Sequence, residues 1–196
     1  MRKLEDAIRQ MGIGIGSDIV KVDMFLNHRI DVGLLREMGQ EIARHFEKCK
    51  PDIILTVEAS GIALAVAASY ALSCIPVVFA KKAKASNQDE SMLEASVYSF
   101  THQKNNIIRV SADYLPQGAR VLIVDDFLAN AQAVMGLMSI IRQAKCYLCG
   151  VAVAVEKGFQ PGGQLLREQG VDLLSLAVVS SIQDGKIELA QQPENF

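Results

Sequence analysis

The residues best suited to chemistry lie in one run, Val121-Leu122-Ile123-Val124-Asp125-Asp126-Phe127-Leu128-Ala129-Asn130-Ala131-Gln132-Ala133. Four aliphatic residues of strand type lead into two adjacent carboxylates, and a loop of small and polar residues then enters a helix. In an open parallel sheet, ligands bind beyond the carboxyl ends of the strands, which is where this reading puts Asp125 and Asp126. The following helix begins with unpaired N–H groups and a positive dipole end, a ready anion site. Small side chains at Ala129, Ala131 and Ala133 let the backbone approach a phosphate closely. Carboxylates beside such a site suit sugar hydroxyls or the water shell of a Mg²⁺ ion. The run therefore points to a phosphorylated sugar; the alternative is an acidic strand end that only caps the next helix.

Related features follow other strands. Ser60-Gly61 opens a helix after Ile53–Val57 and offers a second anion site. Lys81, Lys82 and Lys84 follow the next strand and could neutralise an anionic leaving group, or simply be solvated. Asn27 reads alternatively as a turn cap, and His28 as a surface or capping residue.

These groups need a frame, and the apolar pattern supplies one. Ile53–Val57, Val77–Phe79 opened by Pro76, Val121–Val124, Leu148–Val155 and Val171–Val178 are continuous apolar runs of buried-strand type. Helical patterns alternate with them. Leu34, Leu35, Met38, Ile42 and Phe46 recur at helical spacing behind the N-cap Asp31, and Lys50-Pro51 stops that helix. Ile62–Leu72 and Ala133–Gln143 are further helices, Gln164–Gln169 is a helical turn, and Lys3–Met11 is a short N-terminal helix. Ile19–Val22 reads as a short strand, and Gly12-Ile13-Gly14-Ile15-Gly16 before it as a flexible joint. The alternation predicts an α/β fold with a twisted, mainly parallel sheet flanked by helices. Between Lys81 and Arg109 the rhythm breaks into a polar loop and two β-like runs, Ala95–Thr101 and Asn106–Val110, with the composition of a lid and a hairpin.

Composition narrows the function classes. The 196 residues carry 20 basic and 22 acidic side chains, a net charge of −2, which argues against holding nucleic acid by bulk electrostatics. Half the residues are apolar, enough for one packed core. No charge occurs from Ala59 to Ala80, a length that would span a bilayer, but Pro76 and the serines split it into a helix and a strand. The charged N-terminus MRKLEDAIRQ is no signal peptide, which makes a cytoplasmic protein the expectation. Cys49, Cys74, Cys146 and Cys149 are then expected to be thiols, the C-x-x-C pair included.

The run Val121–Ala133 resembles the phosphoribosyl-pyrophosphate signature of the type I phosphoribosyltransferases. Together with Val22-Asp23 and Phe25-Leu26-Asn27-His28, Glu58 with Ser60-Gly61-Ile62-Ala63, Val97–Thr101, and Glu156-Lys157 with Phe159-Gln160-Pro161-Gly162, it resembles the family's bacterial xanthine-specific branch. The resemblance runs from about Leu4 to the C-terminus. It implies a single phosphoribosyltransferase domain over 1–196 with a small hood, an N-terminal helix and base-binding segment over about 1–30, and a flexible loop and hairpin over about 81–111. It implies transfer of the 5-phosphoribosyl group from phosphoribosyl pyrophosphate (PRPP) to N9 of xanthine, with Mg²⁺, by a homodimer. It also implies roles. Asp125 and Asp126 are the catalytic acidic pair facing the ribose; Ala129, Asn130, Ala131, Gln132 and Ala133 hold the 5′-phosphate. Val20, Asn27 and Lys157 contact the purine. The turn at Glu58-Ala59-Ser60-Gly61, with Lys81 and Lys82, receives the pyrophosphate, and no metal is bound directly by the chain. Chemistry agrees at Lys157, whose ammonium could donate to a xanthine carbonyl, and at Phe159, which could stack on the base.

At position 131 the family loop usually carries glycine. If φ is positive there, Ala131 is strained by about 1 kcal/mol or more. Two other functions remain open: a hypoxanthine or guanine transferase, and a non-catalytic purine regulator of the same fold. Such regulators carry an added N-terminal DNA-binding domain, for which too few residues precede Ile53.

Overall fold

The computed structural model describes residues 1–82, 91–99 and 104–191. Lys84, the rest of the expected lid segment over 85–90, and the hairpin tip with Thr101 lie outside the described residues. In chain order the elements are α1 (Arg2–Met11), β1 (Ile13–Ile15), β2 (Ile19–Lys21), α2 (Val32–Phe46), β3 (Ile53–Val57), α3 (Gly61–Ala71), β4 (Val77–Ala80), β5 (Met92–Ser99), β6 (Lys104–Ser111), β7 (Arg120–Leu128), α4 (Gln132–Gln143), β8 (Tyr147–Lys157), α5 (Gly162–Glu168), β9 (Leu173–Gln183) and β10 (Lys186–Leu189). One turn of π-helix, Asp23–Asn27, follows β2.

Six strands form the central sheet in the order β10-β9-β8-β7-β3-β4, all neighbours parallel except the antiparallel β10–β9 pair. Alternation along the strands divides the core. Ile54, Leu122, Val124, Ala152 and Ala154 face α1, α2 and α3. Ile53, Leu55, Val121, Ile123, Val151 and Val153 face α4, Leu166 of α5, and the β5–β6 hairpin. Both faces are covered, which is why the strands are continuous apolar runs. Asp31 caps α2 as expected, accepting from the Leu34 N–H at 3.0 Å. Gly39 of α2 is required by close approach, because a Cβ there would lie 2.4 Å from the Ala67 carbonyl oxygen of α3. The uncharged run divides into α3 and β4, and among the described residues no helix is long and apolar enough to cross a membrane.

Several expectations are corrected. The glycine-rich segment is not a flexible joint: Ile13–Ile15 pairs with Ile19–Lys21, and the Gly14 N–H donates to the Gly185 carbonyl at 3.1 Å. Only Gly16 turns left-handed there, at φ +60°. The strand through Val124 does not stop at the carboxylates but continues to Leu128, held by pairing with β8 as far as Leu128–Glu156. Strand β10 was not expected, since four alternating residues leave little apolar signal. The cysteines are not all thiols. Cys49, just after α2, and Cys149 on β8 form a disulfide across a Cα–Cα distance of 5.9 Å, while Cys74 and Cys146 are free. The packing of Phe46 against Gly150 brings those two segments together across a separation of 100 residues, which spacing alone does not reveal.

Candidate active site

Beyond the carboxyl ends of β3 and β7 lies a cleft of about 470 Å³. Its walls are Val57, Glu58 and Ser60 after β3, Lys82 after β4, Val97, Tyr98, Asn106 and Ile108 of the hairpin, and the unbroken run Asp125–Val134. The hairpin reaches the cleft by packing on α4, where a Cβ at Gly136 would lie 2.6 Å from Val97 Cγ2.

Asp125 and Asp126 are 7% and 8% exposed at the cleft floor. The Asp126 N–H donates to Asp125 Oδ1 at 2.9 Å. Burial, then the Asp126 charge and side-chain hydrogen bond, push the Asp125 carboxyl well above the usual carboxylate range, while the donated Asp126 backbone N–H and the Lys82 charge oppose them. Thr56 Oγ1 is fully buried beside this pair and has no hydrogen-bond partner among the described residues. A Cβ at Gly61 would lie 2.2 Å from that hydroxyl and 2.7 Å from Asp125 Oδ1, so only glycine fits at the head of α3.

Two helices begin at the cleft without side-chain caps. Ser60, before α3, makes no cap hydrogen bond, and neither does Ala131 before α4. In the first turn of α3 the Ile62 N–H donates to the Ala59 carbonyl at 3.2 Å, and a helix start without a side-chain cap suits an anion. Ala131 sits in the left-handed region at φ +58°, ψ 9°, and is 3% exposed. The positive-φ branch of the expectation therefore holds.

Of the residues named from sequence, Asp125, Asp126, Ala129–Ala133, Ser60 and Lys82 meet in the cleft. Ala59 precedes Ser60 and is joined to Glu58 by a cis peptide bond. Lys81 turns elsewhere: its backbone bridges Arg109 and its Nζ stands 6.0 Å from the centroid of the Phe79 ring. Val20 and Asn27 lie on the N-terminal segment, Val20 buried and Asn27 exposed at the end of the π-helical turn, outside the cleft walls. Lys157 links the two regions. Its Nζ donates to the Asp18 carbonyl at 2.6 Å, beside β2, and lies 6.0 Å from the centroid of Phe127, a cleft residue. Burial lowers the Lys157 ammonium below its ordinary value, and the Asp18 charge only partly offsets this.

Glu58 was expected only as part of the pyrophosphate turn, and Thr56 was missed. Glu58 Oε1 accepts from the Lys82 N–H at 2.6 Å and so fixes the basic segment at the cleft mouth. Thr56 had one available signal, a lone hydroxyl within the aliphatic strand IILTV.

A family model described as phosphoribosyl transferase domain matches residues 21–191. The chain belongs to the phosphoribosyl transferase family. A curated phosphoribosyltransferase relative from Clostridioides difficile, named xanthine phosphoribosyltransferase, is 48% identical over 96% of this chain and 99% of its own length. Xanthine phosphoribosyltransferase 2 of Clostridium botulinum strain Langeland is 46% identical over 95% and 98%. Among solved structures of phosphoribosyltransferases, the Giardia lamblia adenine enzyme with 9-deazaadenine superposes at a TM-score of 0.72. It is 17% identical, with 89% of this chain and 96% of that chain covered. The Trypanosoma brucei adenine enzyme with AMP, pyrophosphate and ribose-5-phosphate also scores 0.72, at 16% identity, covering 89% and 78%. At those identities the structures share the fold.

Proposed function

We propose that this phosphoribosyltransferase transfers the 5-phosphoribosyl group from PRPP to N9 of xanthine, forming XMP and pyrophosphate in purine salvage. The observation that carries the reading is near-full-length identity of 44–48% to curated relatives bearing the xanthine phosphoribosyltransferase name. The cleft chemistry supports it. The uncapped start of α4 receives the 5′-phosphate through Ala129–Ala133, and the start of α3 receives the pyrophosphate at Ala59-Ser60, with Lys82 supplying positive charge at the cleft. Asp125 and Asp126 face the ribose hydroxyls between these two anion sites. The base rests near Phe127 and Lys157, with Val20 and Asn27 on the hood segment closing over it.

In the reaction the C1–oxygen bond to pyrophosphate breaks, the leaving group keeps the electron pair, and the C1–N9 bond forms as the N9 proton is released. Positive charge builds on the ribose ring, and fixed carboxylates beside it stabilise that charge in the transition state. Asp125 and Asp126 would face the oxygen shell of a Mg²⁺ ion carried on PRPP, and that ion would supply charge neutralisation at the leaving pyrophosphate. We read 1–196 as one domain of a cytoplasmic homodimer. The exposed Val66 and Tyr70 of α3, and the exposed Phe79 on the edge strand β4, support pairing with a second copy.

Supplying xanthine, hypoxanthine and guanine separately tests the base assignment. Xanthine should give the highest kcat/KM; turnover of another purine with none of xanthine would refute it. PRPP binding without transfer to any purine would instead point to a non-catalytic regulator.

A further inference from the structure

Behind the site lies an ion pair between a buried carboxylate and a half-exposed arginine, to which the reaction assigns no role. Glu156, the residue before Lys157, is 4% exposed. It accepts from Arg167 Nη1 at 2.8 Å on one oxygen, and from Arg167 Nη2 at 2.7 Å and Ser175 Oγ at 2.5 Å on the other. Burial opposes this charge, but those hydrogen bonds and the Arg167 charge outweigh it and hold the carboxyl below its ordinary value. A two-pronged guanidinium–carboxylate contact fixes position and angle as well as charge.

What it fixes is α5. At the head of this helix, a Cβ on Gly163 would lie 1.9 Å from Glu156 Oε1. The preceding Gly162 N–H donates to the Ala129 carbonyl at 2.9 Å, and a Cβ there would fall 2.2 Å from that oxygen and 2.7 Å from the Ala131 nitrogen. Two adjacent glycines thus press α5 against the Glu156 carboxylate on one side and the phosphate loop on the other. In the sheet, Glu156 stands opposite Leu128, the residue before that loop. The intervening chain is held as well, by Gly158 N–H to the Val179 carbonyl at 2.8 Å and Gln160 N–H to the Lys157 carbonyl at 2.9 Å.

We infer that Glu156 and Arg167 are positioning residues that lock the Lys157 base subsite to the Ala129–Ala133 phosphate loop through α5, setting the distance between the two halves of the nucleotide. The inference rests on the functional reading above. It requires that loosening the pair harms both substrates, although neither residue touches either one.

Arg167→Lys keeps the charge and loses the fork. The double variant Glu156→Gln with Arg167→Met leaves no orphaned buried charge, so folding is preserved if the single variants fail. In folded protein, kcat/KM for both PRPP and xanthine should fall by about tenfold to a hundredfold, the scale of a small misplacement. Lys157→Met should weaken xanthine use alone. Combining it with Arg167→Lys should cost xanthine less than the product of the two single losses. Wild-type constants for both substrates in the folded variants, or a loss confined to xanthine, would overturn the inference. Calorimetric PRPP affinity of the same variants reads the phosphate-loop arm without turnover. A wild-type protein inactive on every purine would thus defeat the functional reading, while the calorimetry still decides on the ion pair.

Discussion

Ala131 carries a methyl group where the backbone is left-handed, and the chain tolerates it for reasons that can be weighed. Relief of left-handed strain by glycine is worth about 1–2 kcal/mol. Against it stand about 0.4–1 kcal/mol of added unfolded-chain entropy and about 0.8 kcal/mol for losing a buried methyl. The terms nearly cancel, so Ala131→Gly should change stability by less than about 1 kcal/mol in urea unfolding. Ala131→Val, branched in the same conformation and 97% buried by the 3% exposure of the native site, should cost more than about 2 kcal/mol. Asp125→Asn with Asp126→Asn keeps shape while removing charge, so circular dichroism should stay native as turnover falls about a hundredfold or more. Near-normal turnover would make the pair structural. At this scale the carboxylates and the small-residue loop were legible, because their chemistry is local in sequence. Thr56, Arg167 and the Cys49–Cys149 bond were not, since each takes its meaning from a partner brought close by packing.

Strands β3, β7 and β8 were legible as elements because both faces are buried and their central residues are almost all apolar up to the site. What the pattern concealed was their extent: β7 runs through the two aspartates, since ladder pairing with β8 outweighs their low strand propensity. The short strands β1 and β10 carry too few residues to show a period. The junction of β8 and α5 has its own pH signature. The folded Glu156 carboxyl lies below its ordinary value of 4.5, so its contribution is present above that pH and is lost as pH falls through the folded value. In urea unfolding, wild type should exceed Glu156→Gln by about 1–2 kcal/mol at pH 7, a charge-assisted contact with a half-exposed partner. The gap should narrow below about pH 4.5; a gap independent of pH would show that the carboxylate charge contributes nothing.

For the molecule as a whole, the net charge of −2 conceals sorting. Asp125 and Asp126 lie at the cleft floor, while Lys82 and two uncapped helix starts supply the positive potential around them. A nearly neutral chain can thus present anion sites on either side of an acidic centre. The uncharged stretch that resembles a membrane span forms α3 and β4 instead, leaving Val66, Tyr70 and Phe79 exposed. If a second copy covers them, Tyr70→Glu should convert a dimer to monomer in sedimentation velocity; an unchanged coefficient would put the interface elsewhere. The most direct test of function is stoichiometric: purified protein with xanthine, PRPP and Mg²⁺, with XMP and pyrophosphate both quantified. They should appear in equal amounts and depend on all three additions. Pyrophosphate without XMP, or no XMP while another purine is converted, would contradict the assignment.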